Sequence, residues 1–159
     1  MMARYAQPGR VVWIGVRPAR RALMSEVSTS MLSPNGLDGD RARGGKRAVT
    51  LIQAEHLPCI AAYMGCKDVA PADLRRNLVV SGLNLIALRG RVVRLGTAVI
   101  EVTGPCAPCS RMEETLGHGG YAAVRGHGGV TARVIQPGSV DVGCAVEPLA
   151  TPVQVGDGT

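Results

Sequence analysis

The sequence predicts a mainly β fold, a β-rich α+β domain whose strands close fully or partly into a barrel with a few peripheral helices. Two observations carry this. Short runs of β-branched and apolar residues recur between Gly/Pro turns every eight to twelve residues, the spacing of a barrel or sandwich rather than of alternating strand and helix units. The chain has 159 residues, the length of one ordinary domain, enough to bury a core without disulfide or metal staples. One domain is expected over 1–159, with its core at about residues 8–148 and a loose tail over 149–159.

In chain order, Val11-Val12-Trp13-Ile14-Gly15-Val16 reads as a first strand ended by Pro18, and Ser25 to Asn35 as a polar stretch running into the turn Pro34-Asn35-Gly36. Ala48 to Ile52 is a second strand. Ala54 to Met64 has helical character, with Pro58 expected to kink or restart the helix. Cys59 and Cys66 lie seven apart and read as core residues sharing a helix face. Pro71 to Val80 runs from a turn into a short strand, and Arg91–Leu95 with Ala98–Thr103 form a hairpin about Gly96-Thr97. After a helix over Ser110 to Leu116, the formal match Gly117-x-Gly-x-x-Ala122 carries no weight because no strand feeds it. Gly129–Ile135 and Ser139–Val146 are two last strands joined at Pro137-Gly138.

Three segments have the chemistry of a site. Gly36 to Arg47 packs four glycines and four cations into twelve residues, so the backbone can approach a ligand while Arg41, Arg43, Lys46 and Arg47 neutralise an oxyanion; Gly39 and Asp40 lie in the same loop. A Walker loop is excluded, because Gly39 and Gly44 are followed by Gly45 and not by Lys. Arg75, Arg76 and Asn77 are a second set of donors for one anion, against the commoner fate of surface ion pairs. The third segment is Thr103-Gly104-Pro105-Cys106-Ala107-Pro108-Cys109-Ser110-Arg111. A helix starting at Ser110 would put the Cys109 sulfur near free backbone N–H groups, with Arg111 as a fixed charge, and a thiolate is both a nucleophile and a soft metal ligand. The other cysteines and the histidines His56, His118 and His127 have no zinc-finger spacing, and the strand-rich surroundings do not suit a thioredoxin dithiol. Two structural cysteines at a turn are the plain alternative.

The charge of +6 and pI near 9.5 ask for an anionic partner. With no Phe, one Trp and three Tyr there are few stacking platforms for single-stranded nucleic acid, and no basic helix suits the major groove, so an anionic small molecule is favoured. Five cysteines, no signal peptide and no apolar run near the ~20 residues of a membrane span lead us to expect a soluble, cytoplasmic protein with reduced thiols. Arg4, Arg10, Arg17, Arg20 and Arg21 precede the first acid, Glu26, but a transit peptide is rejected because Arg10 to Arg17 reads better as a strand.

Taken together, the segments Gly36–Leu57, Asp73–Leu85, Leu95–Arg111 and Gly128–Gly143 resemble, in order and over nearly the whole chain, the MOSC family, domains related to the C-terminal part of molybdenum-cofactor sulfurases, in its small stand-alone bacterial form. The resemblance implies a β-barrel with a few helices and one reactive cysteine, Cys109, with Cys106 an extra thiol that would serve as a resolving thiol if Cys109 carries a persulfide. It further implies molybdenum cofactor (molybdopterin) held through Cys109 as the metal ligand. Gly39, Asp40, Arg41, Arg43, Lys46, Arg47, Arg75, Arg76, Asn77 and Arg111 would then surround the cofactor. Relatives are similar to reductases of N-hydroxylated compounds that work with redox partners, or to sulfur carriers that bear a persulfide and meet a cysteine desulfurase. Pyridoxal phosphate is associated with the family through that desulfurase and is not expected in this chain alone. A non-catalytic anion- or nucleic-acid-binding module would explain the charge but leave the cysteines idle. Two positions depart from the family pattern: Ala42 stands where a histidine often follows Gly-Asp-Arg, and Cys144 follows Gly143 where the barrel often ends in Gly-Asp.

Overall fold

The computed structural model describes residues 4–41 and 44–150. Its elements are β1 (Gly9–Val16), β2 (Ser25–Val27), β3 (Thr29–Ser33), β4 (Gly36–Leu37), β5 (Val49–Gln53), α1 (His56–Met64), α2 (Pro71–Leu74), β6 (Leu78–Ser81), a 3-10 turn (Leu85–Leu88), β7 (Val92–Leu95), β8 (Ala98–Pro105), α3 (Ser110–Leu116), α4 (Gly120–Val124), β9 (Val130–Gln136), β10 (Gly138–Asp141) and β11 (Ala145–Pro148). Seven strands close on themselves in the order β1-β11-β7-β8-β9-β5-β6, with β2 added on the free side of β1, and β10-β3-β4 form a small second sheet. Closure removes the unpaired edges that an open sheet would expose. The expected β-barrel with peripheral helices is therefore the fold observed.

Strand periodicity explains why there are two cores. Successive side chains of a strand point to opposite faces, so Val49 and Leu51 of β5 and Leu78 and Val80 of β6 fill the barrel, while Ile52 and Val79 point outward. There they meet Ile60 of α1, Leu74 of α2, Met112 of α3 and Val124 of α4, all buried. With both faces covered, β5 is buried along its whole length. β5 and β6 are the parallel pair, and the helices α1 and α2 form the crossover that such a pair requires. Truncating a fully buried side chain of either core, such as Leu78 or Met112, to alanine is expected to cost about 2–5 kcal/mol.

Several local readings are corrected. Pro58 neither kinks nor restarts α1, because it is the third residue of that helix, within the first turn where its missing N–H has no carbonyl to serve. Cys66 lies beyond the helix, which ends at Gly65 in the left-handed conformation (φ 68°), and is exposed rather than core. The polar stretch after Ser25 forms β2 and β3, and Pro71–Leu74 is a helical turn. The last strand is broken at Gly143 (φ 96°), so that β10 joins the second sheet and β11 closes the barrel against β1.

Gly129 is the glycine on which the cysteine segment depends. It has φ 88°, and a Cβ there would collide with the carbonyl oxygen of Leu51, so no other residue lets β9 start this close to β5. Its own carbonyl accepts a 2.8 Å hydrogen bond from the Cys106 N–H, which anchors the segment leaving β8.

Candidate functional site

A cavity of about 910 Å³ opens beside Cys109, near the upper end of ordinary ligand pockets. The α3 segment contributes Cys109, Ser110 and Arg111, and α2 contributes Arg75 at its C-terminal cap. The glycine-rich loop brings Arg41, Gly44, Lys46 and Arg47. From the end of β1 come Arg17, Arg20 and Arg21. Eight of these lining residues are cations and none is acidic.

Cys109 is exposed and caps the N-terminus of α3, with its side chain making no capping hydrogen bond. Helix α3 is held down by Met112, which is fully buried, so the thiol stands on a fixed support. Arg17 is the most constrained of the cations. Its Nε donates to Asp40 Oδ1 at 3.1 Å and its Nη2 to Oδ2 at 3.0 Å, while its backbone N–H donates to Oδ1 at 2.6 Å. The Asp40 carboxylate is completely buried beneath it. Arg75 donates from Nη1 to the Ala22 carbonyl at 2.7 Å. Burial lowers its pKa, as do the nearby charges of Arg111 and Arg17, against the opposing pull of Asp40 and Cys109. Arg111 keeps a buried Nε without a partner among the described residues.

The two non-glycine residues with positive φ among the described residues are Arg21 (φ 61°) and Arg75 (φ 57°), and both line this cavity. Left-handed backbone at such a residue costs roughly 1–2 kcal/mol, and strain of this kind clusters where a site needs a side chain aimed in a particular direction.

The sequence-predicted residues divide accordingly. Cys109, Arg41, Lys46, Arg47, Arg75 and Arg111 meet at the cavity. Arg43 lies outside the described residues. Gly39 and Asp40 line a smaller neighbouring hollow, and Asp40 serves the site through Arg17. Asn77 and Arg76 are not among the residues that line the cavity, and for Asn77 this corrects the reading as an anion donor. Asn77 is fully buried and tied up inside the barrel wall: Nδ2 donates to Gly15 O at 3.1 Å, and Oδ1 accepts from the Thr50 N–H and hydroxyl. Arg76 is buried, donating from Nε to Gly128 O at 2.7 Å and from Nη1 to Leu74 O at 2.9 Å, while its Nη2 has no partner among the described residues. Its pKa is lowered by burial, opposed by the nearby sulfurs of Cys106 and Cys109.

Cys106 is also withdrawn, being only 4% exposed. Cys106 and Cys109 are both free thiols, the first buried and the second exposed.

Arg17, Arg20 and Arg21 were missed as site residues. The signal was present: they belong to a run of arginines without an acid before Glu26, and Arg17 stands at the end of a strand just before Pro18.

Metal chemistry is compatible with this donor set in one form only. Among the described residues no cluster of three or more His, Cys, Asp or Glu side chains could enclose a metal ion. One exposed thiol amid cations suits a metal that arrives with most of its ligands on an anionic organic group. No helix among the described residues is long and apolar enough to cross a membrane.

Residues 38–147 match the family model described as the MOSC domain. No curated protein matches the sequence. Among solved structures the chain is similar to the YuaD protein from Bacillus subtilis, with 19% identity and a TM-score of 0.79, covering 89% of this chain and 96% of that one. It is similar to YiiM from Geobacillus stearothermophilus, with 20% identity and a TM-score of 0.75 over 92% of this chain and 78% of that one. YiiM from Escherichia coli is 26% identical, with a TM-score of 0.71 over 89% of this chain and 70% of that one.

Proposed function

Because the chain belongs to the MOSC domain family, we propose that it is a molybdenum-cofactor-binding enzyme that reduces N-hydroxylated compounds or carries out a related oxidoreduction. The observation that carries this reading is the exposed Cys109 thiol at a cavity that, among the described residues, is lined by eight cations and no acid. A thiolate is soft enough for a high-valent metal that also takes sulfur ligands, while a guanidinium fork makes charge-assisted, bidentate bonds to phosphate. When bound, the cofactor supplies the redox chemistry. The chain's own residues do the rest: Cys109 offers the protein's sulfur to the metal, Arg75 and Arg111 meet the anionic part of the cofactor beside it, and Asp40 keeps Arg17 in one orientation.

The reaction consumes two electrons and two protons, cleaving N–OH to N–H and releasing water, so it needs an external electron donor, expected to be a redox partner. The test is turnover of an amidoxime or hydroxylamine by cofactor-loaded protein, with a reduced viologen as donor. Wild-type protein is expected to reduce it, and Cys109→Ser to lose at least about 100-fold in kcat, since the serine hydroxyl, with its much higher pKa, presents no soft anion. Equal turnover by the two proteins would contradict the role given to Cys109.

A sulfur-carrier reading is favoured by one observation, that the Cys109 sulfur is exposed and so open to a persulfide donor. The withdrawal of Cys106 counts against that thiol as a resolving partner.

A further inference from the structure

Outside the residues that line the cationic cavity, His56 at the start of α1, Tyr63 near its end and His127 in the turn between α4 and β9 form a cluster of their own. The His56 and His127 rings lie edge to face, with centroids 5.2 Å apart and planes at 80°, and the Tyr63 ring lies 5.6 Å from that of His127. His127 directly precedes Gly128 and Gly129, whose carbonyls accept the Arg76 Nε–H at 2.7 Å and the Cys106 N–H at 2.8 Å. We propose that the His56–His127 pair is a pH-sensitive latch: its uncharged rings hold the turn that anchors the cysteine segment, and acid loosens that turn by charging them. The inference does not depend on the cofactor reading.

Burial makes the charged state costly. His56 Nδ1 is buried without a hydrogen-bond partner among the described residues, so a proton there would be a buried donor lacking an acceptor, beside a second imidazole. Two neutral rings at this separation pack as an aromatic pair, whereas two imidazolium rings repel. The pKa of His56 is accordingly lowered from its ordinary 6.5, first by burial and then by the charge of His127, against the opposing pull of Glu55 and of a hydrogen bond to the His127 backbone. Among the described residues no group of three His, Cys, Asp or Glu side chains could hold a metal ion, which leaves the pair a proton site rather than a metal site.

The groups around the pair do not cancel this cost. Glu55 is next to His56 in sequence, and its Oε2 already accepts the Gly82 N–H at 2.9 Å. Further along α1 stand Cys59 and Tyr63, and a hydrogen bond with Cys59 pushes the Tyr63 phenol above its ordinary value, so that it stays neutral. Of the elements packed on α1, α4 adds the Tyr121 phenol and β5 no titratable group, while Arg125 in the turn after α4 adds a positive charge. Between the lowered folded pKa of His56 and 6.5 the unfolded chain binds a proton that the folded chain does not. The stability contributed by the neutral pair is therefore complete above 6.5 and is lost as the pH falls towards the folded value.

Hydrogen exchange followed by mass spectrometry tests the latch, read as the protection factor of a peptide covering Cys106 after correction for the intrinsic pH dependence of exchange. In wild-type protein we expect protection to fall roughly fivefold or more between about pH 7.5 and 5.5, and in His56→Gln to change by less than about twofold over that range. His127→Gln, which removes the repulsion but not the burial, should lie between the two. Imidazole titration of the wild type by NMR keeps the proposal testable should a variant fold poorly: His56 is expected to titrate below 6.5, with protection falling over the same window. Protection that does not change with pH, an equal fall in the wild type and His56→Gln, or a His56 that titrates at or above 6.5 overturns the proposal.

Discussion

Cys109 and Cys66 are both exposed, but only Cys109 lines the cationic cavity. The pair forms an internal control for the local field, since Cys66 lies in the turn after α1 with its sulfur near the carbonyls of Ala61 and Asp68. Anionic iodoacetate should therefore prefer Cys109 over Cys66 by more than neutral iodoacetamide does, by about tenfold at low salt, and the excess should shrink as salt screens the cavity. Cys106, at 4% exposure, should react slowest of the three with both reagents. Mass spectrometry of the labelled peptides measures all of this, and an iodoacetate preference that is the same at both thiols would remove the field from the account. At this scale the sequence was an uneven guide. Residue type pointed to Arg75, Arg76 and Asn77 as one donor set. The chain alternates its direction through them, so Arg75 lines the cavity, Asn77 is consumed inside the barrel wall, and Arg76 gives two donors to carbonyls while its Nη2 stays without a partner among the described residues. No pattern of types along a sequence records which donors are already engaged.

The elements that carry the site were legible where their own local chemistry decides them. The α3 segment follows a Pro-rich extended stretch and ends at Gly117, and β7–β8 is a hairpin about Gly96-Thr97 (φ 61° at Gly96), each as read. Elements decided by distant pairing were not. Ser25 to Ser33 is polar and becomes β2 and β3 only because β1 and β10 offer them partners. The junction of α3 and α4 is held by one carboxylate. Glu113 Oε2 accepts the Gly119 N–H at 3.0 Å and Oε1 the Tyr121 N–H at 3.0 Å. These bonds to Tyr121 and Gly119 hold its pKa below the usual carboxylate value of 4.5. A depressed folded pKa contributes stability that is complete above the unfolded value and is lost as pH falls through the folded one. The wild type should thus melt above a Glu113→Gln variant at pH 7, and the gap should close as the pH is lowered from about 4.5 towards 3. Melting curves that stay equally separated over that range would show that the carboxylate's charge is not what holds α4.

For the whole molecule, barrel closure is what turns scattered basic segments into a site. The β1–β11 pairing of Gly9 with Val146 and Arg10 with Ala145 completes the ring, and the cavity then gathers Arg17 from the end of β1, Lys46 from the loop before β5, Arg75 from before β6 and Cys109 from after β8. Family resemblance carried the barrel and the central cysteine. It could not carry Arg17, Arg20 and Arg21, which precede residues 38–147, the region that matches the family model. Positive charge is concentrated by this folding, since among the described residues eight lysines and arginines line one cavity. The proposal that this cavity and the Cys109 sulfur together hold molybdenum cofactor is checked by elemental analysis and pterin fluorescence of protein purified from a host rich in the cofactor, with Cys109→Ser and Cys106→Ser beside the wild type. The expected result is roughly one molybdenum and one pterin per wild-type chain, loss of the metal in Cys109→Ser, and retention in Cys106→Ser. Wild-type protein without molybdenum that releases sulfane sulfur on reduction, or a Cys109→Ser variant that keeps its metal, would contradict it.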